Sequence, residues 1–200
     1  MRIVPASPSD LDEAVTCLAA AFALDPITGF LLQAGSGYHE RLTRFFSLLM
    51  RARFALDMPV FVAVDSAGVR GAAMGYSTVR TQWPGDLVEA WDRFERAVPG
   101  MSGRMATYDG VSNRYKPPEP HYYLGAIGTH PDFLRRGVGS RLLESFCERS
   151  ASDPLSCGVY LETAQAANLA FYERAGFVTT GHGRLGDATL WCMYRAHGRR

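Results

Sequence analysis

Apolar residues recur every three to four positions in two stretches near the start of the chain. This spacing places them on one side of a helix, so it predicts two amphipathic helices. A short apolar run over residues 2–6 predicts a strand, and Asp25-Pro26 marks the end of the first helix. The apolar faces comprise Leu11, Ala14, Val15, Leu18 and Phe22 in the first helix and Leu42, Phe45, Phe46 and Leu49 in the second.

Shorter apolar runs, broken by glycine and proline, dominate the rest of the chain and predict strands. They alternate with helices that begin near Gly137 and Asn168. Interleaved strands and helices favour an α/β (α+β) fold, with a mixed sheet that has helices on both faces. The later strands are predicted over 60–65, 69–77, 121–129, 158–163, 177–181 and 189–195, the last two as a hairpin across 184–187.

The segment 79–120 has a different pattern. An apolar stripe at helical spacing lies between Pro84 and Pro99, and a second, short helix follows it. We therefore expect a helical insertion between the third and fourth strands. Its methionines and aromatic residues are typical of core packing, and the insertion is a candidate lid over a small-molecule pocket.

Composition narrows the function classes. The chain has 200 residues, 47% of them apolar, and 21 basic against 20 acidic residues give a net charge of +1. A nucleic-acid-binding domain usually has a strong basic excess, so no nucleic-acid partner is expected. There is neither a signal-peptide pattern nor an apolar run of membrane-spanning length, which favours a cytoplasmic protein without membrane contact. We expect one domain over 1–196 and a disordered tail over 197–200.

The cysteines are interpreted as small buried apolar residues. None of them is spaced as in a CxxC pair, so the sequence does not support a metal site. Scattered thiols of this kind suit a reducing compartment. The four residues are Cys17, Cys147, Cys157 and Cys192.

One glycine-containing segment, Leu134 to Ser140, joins a predicted strand to a predicted helix. Backbone amides at a helix N-terminus favour an anion, and glycine lets the backbone approach phosphate closely. A P-loop would end in GKS or GKT, and a dinucleotide fingerprint would have a glycine where Leu142 stands. Both nucleotide motifs are therefore excluded, and a phosphate-binding loop and a structural turn remain open.

A second segment is more informative. Asn168 and Tyr172 are four residues apart, so they share one helix face. That helix follows directly on a predicted strand that carries Glu162. A carboxylate, a phenol and an anion-binding loop on neighbouring elements favour group transfer from a large anionic carrier.

The motifs RRGVGS (135–140) and NLAFYERAGF (168–177) together resemble the GNAT superfamily of acetyl-coenzyme A-dependent N-acetyltransferases. Further stretches, CLAAAF, VFVAVD, KPPEPHYYLGAIGTHP, YLET and LWCMYR, resemble the puromycin N-acetyltransferases within it. The resemblance implies a GNAT fold, with a mixed, mostly antiparallel sheet flanked by helices. The chain departs from that group at Leu134, at Asp25 and over 79–115. The departure at Asp25 and the one over 79–115 put puromycin in question as the substrate.

The resemblance also implies roles for individual residues. Acetyl-CoA is the expected cosubstrate, without a metal, and a primary amine of a small molecule is the expected acceptor. Tyr172 is the expected general acid, and Glu162 and His121 are alternative general bases. Asp25 and Tyr123 are expected to contact the acceptor. The expected acetyl-CoA contacts are Ile127, Gly128 and Thr129 at the acetyl group, Arg135, Arg136, Gly137, Val138, Gly139 and Ser140 at the pyrophosphate, and Asn168 at the pantetheine arm.

Three other interpretations remain open. In the first, the acceptor is a peptide or protein amine. In the second, the chain is a non-catalytic acyl-CoA sensor, and in the third it is an interaction module. Glu162, Asn168 and Tyr172 together disfavour the sensor. The sequence leaves a monomer and a homodimer equally open.

Overall fold

A computed structural model describes residues 1–198, in which seven strands form one mixed sheet. The sheet order is β1-β2-β3-β4-β5-β7-β6. β4 and β5 run parallel, whereas the other neighbouring strands are antiparallel. The strands are β1 (Arg2–Pro5), β2 (Val60–Asp65), β3 (Gly68–Tyr76), β4 (Tyr122–Thr129), β5 (Gly158–Thr163), β6 (Val178–Leu185) and β7 (Ala188–Ala196).

Helices cover both faces of this sheet. On one face α1 packs against β3 and β4, and α3 packs against α1. On the other face α6 packs against β2, β3, β4 and β5. Each face has its own cluster of buried apolar side chains. The helices are α1 (Leu11–Ala21), α2 (Pro26–Leu32), α3 (Tyr38–Ala55), α4 (Gly85–Ala97), α5 (Met101–Tyr115), α6 (Val138–Ala151) and α7 (Ala166–Arg174).

The sheet opens between β4 and β5. These two strands pair only over Tyr122–Leu124 of β4, and β4 then continues to Thr129 without a strand on that side. On its other side Met74 pairs with Ala126 and Gly75 with Leu124, so Gly125 is an extra, bulged residue. A bulge bends the strand, and this one lies where the two strands begin to separate.

The α/β architecture with helices on both faces is confirmed. Some predicted boundaries are wrong. The sequence prediction missed α2, for which Asp25 is the N-cap, because Asp25-Pro26 ends one helix and also begins the next. The last hairpin is longer than predicted, since β6 reaches Leu185 and the turn contains only residues 186–187. The segment after Pro99 forms α5, a helix of 15 residues rather than a short one.

The predicted tail begins too early. His197 is fixed to the fold, because its amide donates to Cys157 O at 2.8 Å and its Nε2 lies 2.9 Å from Ser150 Oγ. Residues 199 and 200 lie outside the described residues.

Within residues 1–198, no single helix is long and apolar enough to cross a membrane; one bent pair, Pro8–Ala21 with Pro26–Leu32, meets the length and composition criteria but turns by 102°. No group of three His, Cys, Asp or Glu side chains in this range could hold a metal ion. Burial raises the pKa of the Cys17, Cys147 and Cys192 thiols to about 11, so these cysteines stay protonated near neutral pH.

Candidate active site

A cleft of about 1070 Å³ enters the molecule where β4 and β5 separate. Its walls come from both strands, from α1 to α3 on one side, from α4 and α5 on a second, and from α6 and α7 on a third. Most of the residues expected to be functional line it. These are Asp25, Tyr123, Ile127, Gly128, Thr129, Arg135, Gly137, Val138, Gly139, Ser140, Glu162, Asn168 and Tyr172.

The N-terminus of α6 forms one end of the cleft. Gly137 is its N-cap, with φ of 74°, a left-handed conformation that glycine adopts without strain. An added Cβ at Gly137 would meet no atom within 4 Å, so the space above this residue is open. The first amides of a 14-residue helix therefore face the cleft and can bind an anion there.

The two arginines of the loop differ. Arg135 lines the cleft, and its φ of 59° places its backbone in the left-handed region. Arg136 is not among the lining residues, and its guanidinium lies 5.1 Å from the centre of the Phe133 ring. The structure thus brings Arg135, but not Arg136, to the expected phosphate position.

The free edge of β4 runs from the centre of the sheet towards this loop. Beyond Leu124 the β5 side of the strand has no strand neighbour, so backbone groups of residues 125–129 on that side face the cleft. Gly128 packs against α1, where an added Cβ would lie 2.7 Å from Ala21 Cβ. A thioester carbonyl can accept a hydrogen bond along this edge, as expected for Ile127.

Glu162 lies at the other end of the cleft, near the end of β5, in a group of hydroxyls. Tyr108 OH donates to its Oε2 at 3.0 Å, and Ser112 Oγ donates to its Oε1. Tyr123 OH lies 2.9 Å from Tyr108 OH. Since Tyr108 uses its one proton on Glu162, Tyr123 donates to Tyr108, and Tyr160 OH donates to Ser112 O at 3.1 Å.

This environment acts on the Glu162 carboxyl in two ways. Burial disfavours its charged form and raises its pKa above the ordinary value of 4.5. The hydrogen bonds from Ser112 and Tyr108 stabilise the carboxylate and oppose part of that rise. A carboxylate with a raised pKa is a stronger base than an exposed one, which suits it to accept a proton near neutral pH.

Tyr172 lies on α7 and is 5% exposed. Its ring packs against Phe171 and Phe177, with centroids 5.0 and 5.8 Å away. Burial and the charge of Asp25 raise its pKa well above 10, so the phenol stays protonated. The sequence prediction assumed an ordinary phenol; the buried one remains a hydrogen-bond donor over a wider pH range but releases its proton less readily.

Besides its expected contact with the acceptor, Asp25 has a structural contact. Its Oδ1 accepts from the Thr28 amide at 2.9 Å, which caps α2. Burial raises the pKa of this carboxyl, and hydrogen bonds from Thr28 oppose the rise. Asp25 lies near the start of α7, because Gln165, the N-cap of that helix, donates from Nε2 to Leu24 O at 3.4 Å. The charge of Asp25 contributes to the raised pKa of Tyr172.

His121 does not reach the cleft. It is 9% exposed and packs against the rings of Tyr160 and Tyr194, and it is absent from the residues that line the cavity. Its Nδ1 donates to Glu119 O at 2.6 Å, and burial lowers its pKa. The geometry therefore favours Glu162 over His121 as the base, because His121 is neutral and faces the core.

Three residues of this site were not predicted. Tyr108 and Ser112 lie one helical turn apart on α5, and their spacing by four is the only sequence signal that they share a face. Arg53, on α3, is a charged residue inside an apolar stripe. A charged residue is rarely buried unless it has a partner or a functional role.

α5 reaches Glu162 because it packs closely on β6. Gly181 and Gly183 lie directly under Tyr115 and Val111 of the helix, and an added Cβ at either glycine would clash with these side chains. The side-chain-free surface of the strand lets the helix come close. α5 thereby places Ser112 and Tyr108 over the end of β5.

Comparison with known proteins identifies the family. A sequence profile described as the Acetyltransferase (GNAT) family matches residues 39–177. The N-alpha-acetyltransferase RimI of Mycobacterium tuberculosis is 31% identical over 102 residues, which are 48% of this chain and 62% of the relative. The match thus spans about three fifths of the length of that curated relative.

Solved structures share the fold. The "histone acetyltransferase HPA2 and related acetyltransferase" from Corynebacterium glutamicum superposes with a TM-score of 0.75 at 24% identity, over 99% of this chain and 97% of that one. NAA60 from Arabidopsis thaliana superposes with a TM-score of 0.58 at 16% identity, over 98% of this chain and 97% of that one. None of these relatives is named for puromycin, so the narrower resemblance is not shown. Because the family profile covers more than half of the sequence, the chain belongs to the GNAT family of acetyltransferases.

Proposed function

We propose that the chain transfers the acetyl group of acetyl-CoA to a primary amine of a small molecule, with Glu162 as general base and Tyr172 as general acid. GNAT acetyltransferases use acetyl-CoA. The observation that carries the proposal is that Glu162, Tyr172 and the N-terminus of α6 line the same cleft.

We place acetyl-CoA in the cleft in one direction. Its pyrophosphate lies at the amides of α6, where Gly137 leaves open space and Arg135 adds a positive charge. Its pantetheine arm runs between β4 and β5, past Asn168, which is exposed on α7. The acetyl carbonyl then accepts a hydrogen bond from the free edge of β4 near Ile127, and this preorganised donor stabilises the oxyanion.

The transfer is a direct attack. The amine nitrogen forms a bond to the acetyl carbon, and the carbon–sulfur bond breaks. The amine proton passes to Glu162, directly or through water, because most alkyl amines are protonated at neutral pH and react only when neutral. The departing sulfur takes a hydrogen bond from the Tyr172 hydroxyl and finally its proton.

The walls of the cleft favour a small acceptor. α4 and α5 cover the Glu162 end, where Tyr108 and Ser112 contact the carboxylate and Trp91 packs against Phe45 at a centroid distance of 5.8 Å. The cavity of about 1070 Å³ is large enough for acetyl-CoA and a compact amine. These contacts support the proposal that the segment 79–120 acts as a lid over the acceptor.

A second candidate acceptor is the N-terminal amine of a peptide. It is favoured by the 31% identity to RimI, whose name describes an N-alpha-acetyltransferase. The two candidates share the chemistry at Glu162 and Tyr172 and differ only in what enters beside α5.

The test is release of free CoA thiol from acetyl-CoA, followed against small primary amines and against peptides with a free N-terminal alanine. We expect turnover on a small amine, and loss of it in Glu162→Gln. Turnover confined to peptides would replace the small-molecule proposal by the peptide one. Binding of acetyl-CoA without turnover on any amine would contradict both.

A further inference from the structure

Among residues 1–198, Arg53 is a buried cation without an anionic partner. Its side chain lies in the wall of the cleft, and the residue is only 4% exposed. No ion pair among residues 1–198 includes it. A buried charge is costly unless it is paired, so a guanidinium in this position is expected to have a ligand.

One edge of the Arg53 guanidinium makes no hydrogen bond within the described part of the chain. Nη1 donates to Leu49 O at 3.0 Å, whereas Nε is buried and has no partner there. Nη2 lies beside Gly125, 3.7 Å from where a Cβ would stand. The Tyr76 ring covers one face, with its centre 4.2 Å from Cζ. Since Nε is closed to solvent, Nη2 is the group through which Arg53 can donate to a carboxylate in the cleft.

A second cation stands next to Arg53. The Arg80 guanidinium lies 5.5 Å from the centre of the Tyr76 ring and 5.2 Å from that of Tyr123, and it also lines the cleft. It takes part in no ion pair within residues 1–198. Both guanidinium groups lie against the Tyr76 ring, so the two are close, and the positive charge of Arg80 lowers the pKa of Arg53 after the larger effect of burial.

The nearby carboxylates do not neutralise this pair. Glu162 is held by Ser112 and Tyr108, and Asp25 caps α2 at the Thr28 amide. Within residues 1–198 no carboxylate lies within ion-pair distance of either guanidinium.

We infer that Arg53 and Arg80 bind a carboxylate of the acceptor, so that the acetylated molecule is an amine that also carries a carboxylate. Arg53 lies beside Gly125, where β4 and β5 begin to separate, and Tyr123 connects this point to Glu162 through Tyr108. A compact amino acid can thus place its carboxylate at Arg53 and its amine towards Glu162. This inference rests on the proposed function, and the two can fail separately.

The first experiment measures binding and needs no turnover. Calorimetric titration with N-acetyl-leucine and N-acetyl-phenylalanine, each against its carboxamide and in the presence of CoA, compares product-like ligands that differ only in charge. We expect the carboxylates to bind at least about tenfold more tightly than the amides. Arg53→Gln should abolish this preference and Arg80→Gln should reduce it. Arg51→Gln, an exposed residue on the same helix and outside the cleft, should leave it intact.

Equal binding of acid and amide would overturn the inference, as would a failure of both acids to bind at millimolar concentration. A preference that survives in Arg53→Gln and Arg80→Gln would overturn it too. If Arg53→Gln does not fold, Arg80→Gln decides the question, because Arg80 is exposed and its loss removes no core contact.

The second experiment separates the two proposals. CoA release is measured with leucine, phenylalanine and their amides as acceptors. Equal turnover of acids and amides contradicts the carboxylate site and supports small-molecule transfer. Selective binding of the N-acetyl acids without turnover of any small amine supports the carboxylate site and contradicts small-molecule transfer.

Discussion

The two ends of the cleft are built in different ways. At the α6 end the groups expected to bind acetyl-CoA come from short, continuous segments, residues 134–140 and the helix that carries Asn168. At the Glu162 end they come from α3, α5 and β5, which are far apart in the sequence. The first end depends on backbone amides and a local turn, whereas the second depends on side chains that only the tertiary fold brings together. Substitutions at the two ends should therefore change different kinetic constants.

The largest effect is expected for Glu162→Gln. The amide keeps the shape of the side chain but cannot accept a proton, so kcat should fall by about 10³-fold while the KM for acetyl-CoA changes little. Steady-state kinetics measures this, and Glu173→Gln, an exposed residue on α7, is the matched control. If Glu162→Gln instead weakened the binding of acetyl-CoA, this result would contradict the functional distinction between the two ends.

Tyr172→Phe comes next and should lower kcat by about 10²-fold. The ring still packs against Phe171 and Phe177, so the fold is retained and only the donor to the sulfur is lost. The measurement is kcat with acetyl-CoA together with the melting temperature. An unchanged kcat would remove Tyr172 from the mechanism and leave it as a packing residue.

Gly139→Val should act on the cosubstrate alone. A Cβ at this position lies 3.6 Å from Thr129 Oγ1, at the floor of the phosphate end, so a branched side chain occupies space needed by the pyrophosphate. We expect the KM for acetyl-CoA to rise about tenfold. At Gly103, on α5, an added Cβ meets no atom of another segment within 4 Å, so Gly103→Val is the control and should leave the KM the same.

The smallest effect is a change in the pH profile. Tyr108→Phe and Ser112→Ala each remove a donor to the Glu162 carboxylate, which raises the pKa of that carboxyl further. Since the base acts when deprotonated, the acidic limb of kcat should move to higher pH, with roughly a threefold loss at the acidic end and recovery at higher pH. Thr107→Val removes an α5 hydroxyl that bonds only Gly103 O and should not move the limb.

The fold was largely predictable because the periodic patterns of apolar residues along the chain are strong. The stripe of α3 and the alternating burial of β4 are visible in the sequence. α2 was missed because Asp25-Pro26 is a stop signal and a start signal at once. The position of β5 beside β7 could not be deduced, since strand order depends on contacts between distant segments.

The same distinction between local and long-range contacts separates the site residues that were predicted from those that were not. Gly137 and Gly139 were found because a helix N-terminus and its glycines are adjacent in sequence. Tyr108 was interpreted as a packing residue of a short helix and Ser112 was not singled out, because their bonds to Glu162 exist only after α5 folds onto β6. His121 was expected as an alternative general base, but it precedes the start of β4, and its ring faces the core.

The short pairing of β4 with β5 has a consequence for dynamics. Four strands on one side and three on the other are joined in the sheet by only three residue pairs, over Tyr122–Leu124. Amide hydrogen exchange should therefore reveal local opening at this seam before β2 or β3 lose protection. A ligand bound between β4 and β5 contacts both sides, so acetyl-CoA should slow exchange at the seam more than elsewhere in the sheet. The gap that admits the substrates is thus also the place where the native sheet is expected to open locally.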